Sequence, residues 1–389
     1  MNTSSNNFMK AKINVIAFVG CMLLAMASCN NQECQMTTVV NSDGSCSRDI
    51  ALHLDSTQLV TGKISQDKNC VDIGKNRKLS WSMQGQEKRH PWPMSRETYD
   101  SIAKIAADSG KTVRSMVTVH ALSTWNSVAD MSSHTIIKLE QSRIKPQAQL
   151  SSKFRWFYTD YTYRETYPQQ KIPFKVPLSR FMSQEEMGFW FTGSPNLAQG
   201  LNGSEIDDLT GTIKSNLSKW MCANWFEALY AHIVKNYSAI ASPPVAKQQF
   251  VALHDSLSKQ FIHELNEPSN TFDLKDSEQF FANFFHSQAY TPLLKQESTI
   301  MHANPWIGQY LELTWFNIDY RVVMPGSITS CEGGIVKDEV AIFRLTGERL
   351  ITANHCITIG SRATHTWAFI VTALVAIAAL ASVVYRKRK

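Results

Sequence analysis

The body of this chain lacks any excess of charge, although the whole sequence of 389 residues has a formal net charge of +6. Residues 1–29 contain Lys10 and Lys12 but no acidic residue, and residues 386–389 are all basic. Without these six residues the 39 Lys and Arg fall to 33, the same number as the Asp and Glu. Nucleic-acid binding needs clustered basic side chains that neutralise phosphates. The sequence therefore argues against a nucleic-acid partner.

The sequence also lacks the short motifs of the common enzyme and metal-binding classes. It contains no G-x-S-x-G, no Walker loop, no Rossmann fingerprint and no C-x-x-C pair. His263-Glu264 begins like a zinc-protease helix, but Glu267 occupies the place of the second histidine ligand. We therefore expect no metal and no cofactor, and we favour a protein that is not an enzyme.

An apolar run near the N-terminus predicts an export signal. Residues 13–27 are uncharged and follow two lysines, which is the shape of a secretory signal. The run ends in Leu24-Ala25-Met26-Ala27-Ser28-Cys29, which resembles the lipobox of bacterial lipoproteins. The resemblance implies removal of residues 1–28 and a diacylglyceryl group on the thiol of Cys29. The alternative is a plain signal peptide, or an uncleaved anchor helix, with an ordinary Cys29.

The C-terminus predicts a membrane span. Residues 366–385 are twenty residues without a charge, and a helix that rises about 1.5 Å per residue would cross a hydrocarbon core of roughly 30 Å. Trp367 and Tyr385 stand near its ends, as in an aromatic belt. The basic tail 386–389 follows, and the positive-inside rule places it in the cytoplasm. We expect a single-pass protein of the cytoplasmic (inner) membrane, with its body on the periplasmic or extracellular side. A buried core helix is the alternative.

Between these ends the sequence alternates between β and α patterns. Asp43-Gly44 between two alternating apolar runs predicts a β-hairpin, and Ser95 is placed to cap a helix over residues 96–108. Residues 136–167 alternate with period two, and helical patterns fill much of 183–290. The β pattern then returns. Its predicted strands, which we assign to the same sheet system as the earlier ones, are 311–323, 340–345 and 350–357, the last two joined through Thr346-Gly347-Glu348.

We predict an α+β fold: a β-rich, membrane-proximal domain split by a helical insertion, plus one C-terminal transmembrane helix. Three separate domains in a row are the alternative. The predicted boundaries are 1–28 for the signal peptide, 29–177 for the first part of the β-rich domain, 178–305 for the helical insertion, 306–362 for the second β part, 366–385 for the transmembrane helix and 386–389 for the cytoplasmic basic tail.

Two short stretches before the apolar run carry a family resemblance. They are Arg321-Val322-Val323-Met324-Pro325-Gly326 and Thr346-Gly347-Glu348-Arg349-Leu350. Together with the anchor helix they resemble membrane-anchored lipoproteins of Bacteroidetes-type bacteria. More distantly, the region is similar to actinobacterial lipoproteins of the LppM type, which implies an α/β domain with an apolar, lipid-accepting cavity. The helical insertion of the present chain departs from that second family.

Six cysteines remain in the body once Cys21 leaves with the signal and Cys29 is acylated. In an oxidising compartment they can form up to three disulfides. The two pairs that each lie within a β region are Cys46 with Cys70, and Cys331 with Cys356. Several buried free thiols are an equally good interpretation.

Aromatic residues are concentrated in one predicted strand region. Phe154, Trp156 and Tyr158 share a face and, with their aromatic neighbours, are candidates to line an apolar groove. The alternative is that they pack the sheet against the helices. We therefore expect a non-enzymatic cell-envelope lipoprotein, anchored at both ends, that binds a lipid, a glycan or a partner protein at the lipid bilayer. An envelope-polymer hydrolase is the alternative, and it requires Asp, Glu or His clustered in a cleft.

Changing Cys29→Ala should abolish acylation and signal cleavage but leave the protein in the membrane, because residues 366–385 still span it. Palmitate labelling and membrane fractionation measure the two effects separately. Release of the variant into the soluble fraction would contradict the C-terminal span. A wild-type protein without palmitate label would contradict the lipobox.

Overall fold

The computed structural model describes residues 32–64, 71–72, 77–139, 142–265 and 274–388. The chain divides into two compact units, one formed by Gln170–Trp315 and the other by Gln32–Gln169 together with Phe316–Lys389. We call them the helical unit and the β unit. The β unit comes from chain segments on both sides of the helical unit, and it is followed by an apolar helix. The predicted α+β fold class, a β-rich domain split by a helical insertion, is confirmed.

Most strands of the β unit belong to two sheets. Eight strands form one sheet in the order β12-β13-β10-β1-β2-β5-β3-β4, and four form a second in the order β11-β14-β9-β8. The strands are β1 (Gln32–Val40), β2 (Cys46–Leu52), β3 (Lys78–Met83), β4 (His90–Pro91), β5 (Val117–Trp125), β6 (Ile137–Lys138), β7 (Arg143–Ile144), β8 (Gln147–Phe154), β9 (Tyr158–Tyr167), β10 (Phe316–Val323), β11 (Ser327–Glu332), β12 (Ile335–Lys337), β13 (Val340–Thr346) and β14 (His355–Thr364).

Strand β1 joins the two chain segments of the β unit. It pairs antiparallel with β2 through the predicted hairpin, in which Gly44 has a φ of 87° and donates its N–H to the carbonyl of Asn41 at 3.0 Å. On its other edge β1 pairs parallel with β10, and Met36 lies opposite Tyr320. Because each sheet holds strands from before and after the insertion, three independent domains in a row are excluded.

Two predicted strands differ from the structure. The predicted strand 311–323 begins only at Phe316, because Trp306–Trp315 is helical, and a short apolar run does not distinguish helix from strand by periodicity. The strand predicted over 350–357 begins only at His355. A 3-10 turn at Gly347–Leu350, with Leu350 fully buried, instead carries the chain from β13 in one sheet to β14 in the other.

The helices of the β unit lie between its strands, apart from the C-terminal one, and the helices of the helical unit enclose an aromatic core. The β unit holds α1 (Ser56–Thr61), α2 (Arg96–Asp108), α3 (Val113–Met116), α4 (Val128–Ser133) and the C-terminal α13 (Thr366–Arg388). The helical unit holds α5 (Gln184–Met187), α6 (Gly203–Lys235), α7 (Lys247–Ala252), α8 (His254–Leu265), α9 (Leu274–Phe285), α10 (Thr291–Leu294), α11 (Glu297–Ala303) and α12 (Trp306–Trp315).

Local sequence signals set the helix starts. The hydroxyl of Ser95 accepts the N–H of Thr98 at 3.2 Å, which confirms the predicted start of α2. Asn202 and Glu205 form a capping box at the start of α6. Helix α6 then runs through the centre of the helical unit. The fully buried rings around it are Phe226, Phe250, Phe261, Phe281 and Tyr290.

The two sheets of the β unit meet at a buried ion pair. Arg48 on β2 and Glu165 on β9 lie 2.9 Å apart, Nη2 to Oε2, and both side chains are completely buried. Burial alone would lower the pKa of Arg48, but the Glu165 carboxylate and the surrounding tyrosines together outweigh it and raise that pKa above its ordinary value. Arg48 is therefore a permanent cation in the core, and its desolvation must be compensated by hydrogen bonds.

Neighbouring strands supply those hydrogen bonds. Arg48 donates from Nε to Thr38 Oγ1 and from Nη1 to Thr135 Oγ1, both at 2.9 Å. The hydroxyls of Tyr163 and Tyr320 donate to Glu165 Oε2 at 2.7 and 2.5 Å. Burial raises the pKa of both tyrosines well above its ordinary value, so they stay neutral donors. The network links β1, β2 and β10 of one sheet to β9 of the other.

Removing one partner of the buried pair should destabilise the protein strongly. Arg48→Met and Glu165→Leu should each lower the free energy of unfolding by about 3–5 kcal/mol, because each leaves an uncompensated buried charge. The double variant should lose less than the sum of the two. Urea unfolding of the detergent-solubilised full chain measures this.

Arg96→Met is the matched control for this measurement. Arg96 forms an ion pair with Asp100 in which both side chains are mostly exposed, at 71% and 56%. An exposed pair contributes less than about 1 kcal/mol. If Arg48→Met and Arg96→Met had equal effects, the buried network would not be the support that we describe.

Candidate functional site

The C-terminal helix α13 has the length and composition of a membrane span. Among the described residues it alone passes as a candidate, over Thr366–Lys387, with a mean hydropathy of 2.5. Only 6% of this stretch is buried, so it is not the core helix that the alternative interpretation required. Exposed side chains such as Leu374 and Leu380 extend along it. The chain thus ends in an apolar helix that can cross a bilayer, as a single-pass protein requires.

The hairpin of β8 and β9 ends in an unusual turn. Arg155 donates its backbone N–H to the carbonyl of Tyr158 at 2.7 Å, so Trp156 and Phe157 are the two residues at the tip. Turn positions of this kind usually hold Gly, Asn, Asp or Pro. Trp156 is 48% exposed, and Phe154, which precedes the turn, is 62% exposed. Large aromatic side chains are therefore presented where a water-exposed loop would carry polar ones.

This hairpin tip packs against the beginning of α13. Trp156 meets Trp367 edge to face at 5.2 Å between ring centroids, and Phe157 meets Phe369 at 4.7 Å. The indole N–H of Trp156 donates to Oγ1 of Thr372 at 2.9 Å. We call these five residues, with Phe154 and His365, the aromatic cluster. Phe154 and His365 complete it by stacking on each other at 5.1 Å.

The start of α13 is fixed to the β unit by backbone and side-chain bonds. Strand β14 pairs with β9 up to Thr364, and His365 then donates its backbone N–H to the carbonyl of Phe157 at 2.8 Å. The ring of His365 lies 2.9 Å, Nε2 to Oγ1, from Thr159. Arg362 bonds Asp160 at 2.7 Å. The helix therefore continues directly from a paired strand, with no loose linker between them.

The three predicted groove residues lie together at this hairpin. Phe154 and Trp156 project from the tip, and Tyr158 lies beneath the guanidinium of Arg362, at 4.0 Å from its ring centroid. Whether they line a groove stays a prediction. For Phe154 and Trp156, the packing partner that the sequence did not indicate is the C-terminal helix.

The described cysteines are free thiols, which is the alternative to disulfide bonds that the sequence left open. Cys331 on β11 lies opposite Ile359 on β14, three residues or about 10 Å along that strand from Cys356. A disulfide needs Cα atoms within about 7 Å, so the predicted Cys331–Cys356 bridge is not formed, and both thiols are free. Cys46 is buried and free. Its predicted partner Cys70 and the predicted lipidation site Cys29 lie outside the described residues.

Three polar side chains form a hydrogen-bonded series on the outer face of the eight-stranded sheet. Ser82 Oγ lies 2.9 Å from His120 Nε2, and His120 Nδ1 lies 2.9 Å from Asp49 Oδ2. Their strands β3, β5 and β2 are direct neighbours. Asp49 follows the inward-facing Arg48, and strand alternation turns it to the opposite face. Serine, histidine and carboxylate bonded in this order are the constellation of nucleophilic acyl-transfer sites.

The charges around this series are well defined. Burial alone would raise the pKa of Asp49, but hydrogen bonds and charge from His120 and Arg89 hold it below its ordinary value. Asp49 is therefore ionised at neutral pH. Arg89 Nη2 donates to Asp49 Oδ2 at 2.7 Å, and its side chain is 41% exposed. Ser82 itself is only 3% exposed.

No sequence signal indicates this arrangement. No motif spaces Asp49, Ser82 and His120, and His120 reads as one of several scattered histidines. Only the strand order brings the three together. The described ranges contain no group of three or more His, Cys, Asp or Glu that could hold a metal ion.

Comparison with known proteins adds no relative to these observations. No protein-family model, no curated protein and no solved structure matches the chain. The features that bear on function are the aromatic cluster, the apolar helix and the Ser82–His120–Asp49 series.

Proposed function

We propose that this chain is a membrane-anchored cell-envelope protein that holds its β unit on the bilayer surface and binds lipid there through the β8–β9 hairpin tip. The observation that carries the proposal is the hydrogen bond between Trp156 and Thr372. Thr372 lies six residues inside the uncharged run that begins at Thr366. A side chain of the β unit is thus bonded to a residue within the apolar segment.

The length of the helix limits how far this contact can be from the bilayer. Six residues correspond to about 9 Å along a helix axis. A hydrocarbon core of roughly 30 Å requires about twenty residues, which is nearly all of the uncharged run 366–385. If the run crosses the core, Thr372 cannot lie in bulk water. Trp156 and Phe157, which pack on the same part of the helix, then lie at the lipid interface.

The chemistry of the hairpin tip suits that location. Tryptophan is enriched at membrane interfaces because its ring is apolar and its N–H can still be hydrogen-bonded. The exposed Lys153 and Arg155 flank Phe154 and extend toward solvent. A basic residue near an anionic lipid surface contributes about 1 kcal/mol. Exposed aromatic rings with flanking cations favour a lipid headgroup region over a glycan or a partner protein as the binding surface.

The proposal includes anchoring at both chain ends. In it, residues 1–28 direct export, Cys29 carries the lipid, and the tail Arg386–Lys389 remains in the cytoplasm under the positive-inside rule. A helical span supports the inner membrane, since outer membranes hold barrels. The resemblance to lipoproteins whose domain precedes a C-terminal span supports the same arrangement.

Brominated lipids should quench part of the tryptophan fluorescence of the reconstituted full chain, and the quenched part should fall clearly in Trp156→Leu. The reason is that bromine quenches only indoles that lie within or beside the acyl region. Trp81→Leu is the matched control, because Trp81 is buried in the β unit and should not contribute to the quenched part. An equal quenched part in Trp156→Leu and wild type would contradict the proposed interfacial position.

Protease added to spheroplasts should digest residues 30–365 and spare a C-terminal tag, because four adjacent basic residues resist translocation. Replacing Arg386–Lys389 with neutral residues should increase the fraction of tags that the protease removes. Immunoblotting of the tag measures both. Removal of the tag from the unmodified protein would show that the proposed orientation is reversed.

A further inference from the structure

The geometry of the outer sheet face points to an activity beyond membrane anchoring. We propose that Ser82 is the nucleophile of an acyl-transfer site, with His120 as its general base and Asp49 as the positioning residue for His120. The substrate class is a carboxylic ester. This inference does not depend on the proposed lipid contact, and it takes up the hydrolase alternative in place of the expected absence of enzymatic activity.

The hydrogen-bond directions support these roles. The ionised Asp49 can only accept, so a neutral His120 ring must carry its proton on Nδ1, which faces Asp49 at 2.9 Å. In that tautomer the lone pair of His120 lies on Nε2, which faces Ser82 Oγ at 2.9 Å. Ser82 then donates its hydroxyl proton to His120. This is the tautomer and the distance that a general base needs to activate a serine.

The position of Ser82 in its strand is suited to a reacting group. Strand β3 ends at Met83, and its ladder with β4 ends at the pair Trp81 and His90. Ser82 is thus the second-to-last residue of the strand, next to a chain reversal. Its side chain lies on the face of the sheet opposite to Arg48, away from the second sheet. Ser82 is 3% exposed in the resting structure, so the ester must displace the side chains that cover it.

Arg89 is the cation of the site. It precedes His90 on β4, so the hairpin places it beside Ser82, and its side chain extends to Asp49 on β2. Strands β3 and β5, which carry Ser82 and His120, lie between those two strands. The guanidinium is bonded to the carboxylate that faces Nδ1 of His120, whereas Ser82 faces Nε2. In the proposed reaction Arg89 keeps Asp49 ionised, and the Asp49 carboxylate stabilises the imidazolium that forms on His120.

The reaction follows from these positions with all atoms accounted for. Ser82 Oγ forms a bond to the ester carbonyl carbon while its proton passes to Nε2 of His120. The tetrahedral intermediate then breaks its bond to the leaving alcohol, which takes that proton from His120. The acyl group remains on Ser82 as an ester. Water attacks this ester and loses a proton to His120. The bond between the acyl carbon and Ser82 Oγ then breaks, His120 returns the proton to Oγ, and the carboxylic acid leaves.

A fluorophosphonate probe tests the nucleophile directly. The full-length protein in detergent micelles should be labelled covalently, and mass spectrometry of its peptides should place the adduct on Ser82. His120→Gln should slow labelling by at least about 100-fold, the effect expected of a lost general base. Asp49→Asn should slow it by a comparable factor, because the amide no longer fixes the tautomer of His120.

Ser80→Ala is the matched control. Ser80 lies on the same face, opposite His120 in the ladder, and should leave the labelling rate unchanged. Hydrolysis of p-nitrophenyl acetate should be lost in Ser82→Ala and retained in Ser80→Ala. If Ser82→Ala does not fold, as thermal unfolding would show, the mapped adduct on the wild-type protein still identifies the nucleophile.

Two results would overturn the assignment. One is the absence of a Ser82 adduct in the folded wild-type protein, under conditions that label a reference serine hydrolase completely. The other is an unchanged labelling rate in folded His120→Gln. Either would show that the three side chains only stabilise the sheet, a role that would change thermal unfolding without changing reactivity.

Discussion

The fold of the β unit depends on the need to compensate one buried charge. Arg48 is fully buried and stays protonated, so its guanidinium must find an anion and several acceptors inside the core. Glu165 comes from the second sheet, and Tyr320 comes from the chain segment after the helical insertion. The network is therefore complete only when both sheets and both segments of the chain have come together. Loss of any one partner is costly, because it leaves a buried charge without compensation.

The same network fixes what lies on the outside of the sheet. Side chains alternate along a strand, so turning Arg48 inward turns Asp49 outward, and a slip of one residue would exchange them. Such a slip would leave Glu165 buried without its cation and would bury Asp49 in place of Arg48, and both changes are costly. The alignment of Asp49 with His120 and Ser82 thus depends on a register that the core enforces. Core and candidate site are linked by the covalent geometry of one strand.

In the four-stranded sheet of the β unit, the inner strand β14 leads directly into the apolar helix. Strand β14 pairs with β9 over its whole length, and α13 begins two residues after β14 ends. The bonds of His365 and Trp156 remove the freedom that a linker would have given. An apolar helix can hold a protein in a membrane without orienting it. Here hydrogen bonds and ring contacts join the helix to the β8–β9 hairpin, so a membrane around the helix would also set the position of the hairpin tip.

The sequence by itself determined the features that depend on local composition and short-range pattern. The Asp43-Gly44 turn, the cap at Ser95, the split β-rich fold class and the apolar helix were all predicted, because each is encoded within a few turns or strand lengths of chain. The boundary at Phe316 and the turn at Leu350 were not, since apolar runs of that length satisfy either structure. The partners were decided only by the tertiary structure. Arg48 with Glu165, Trp156 with Thr372, and Asp49 with His120 and Ser82 are brought together by strand order and sheet packing, and no local pattern records which strands become neighbours.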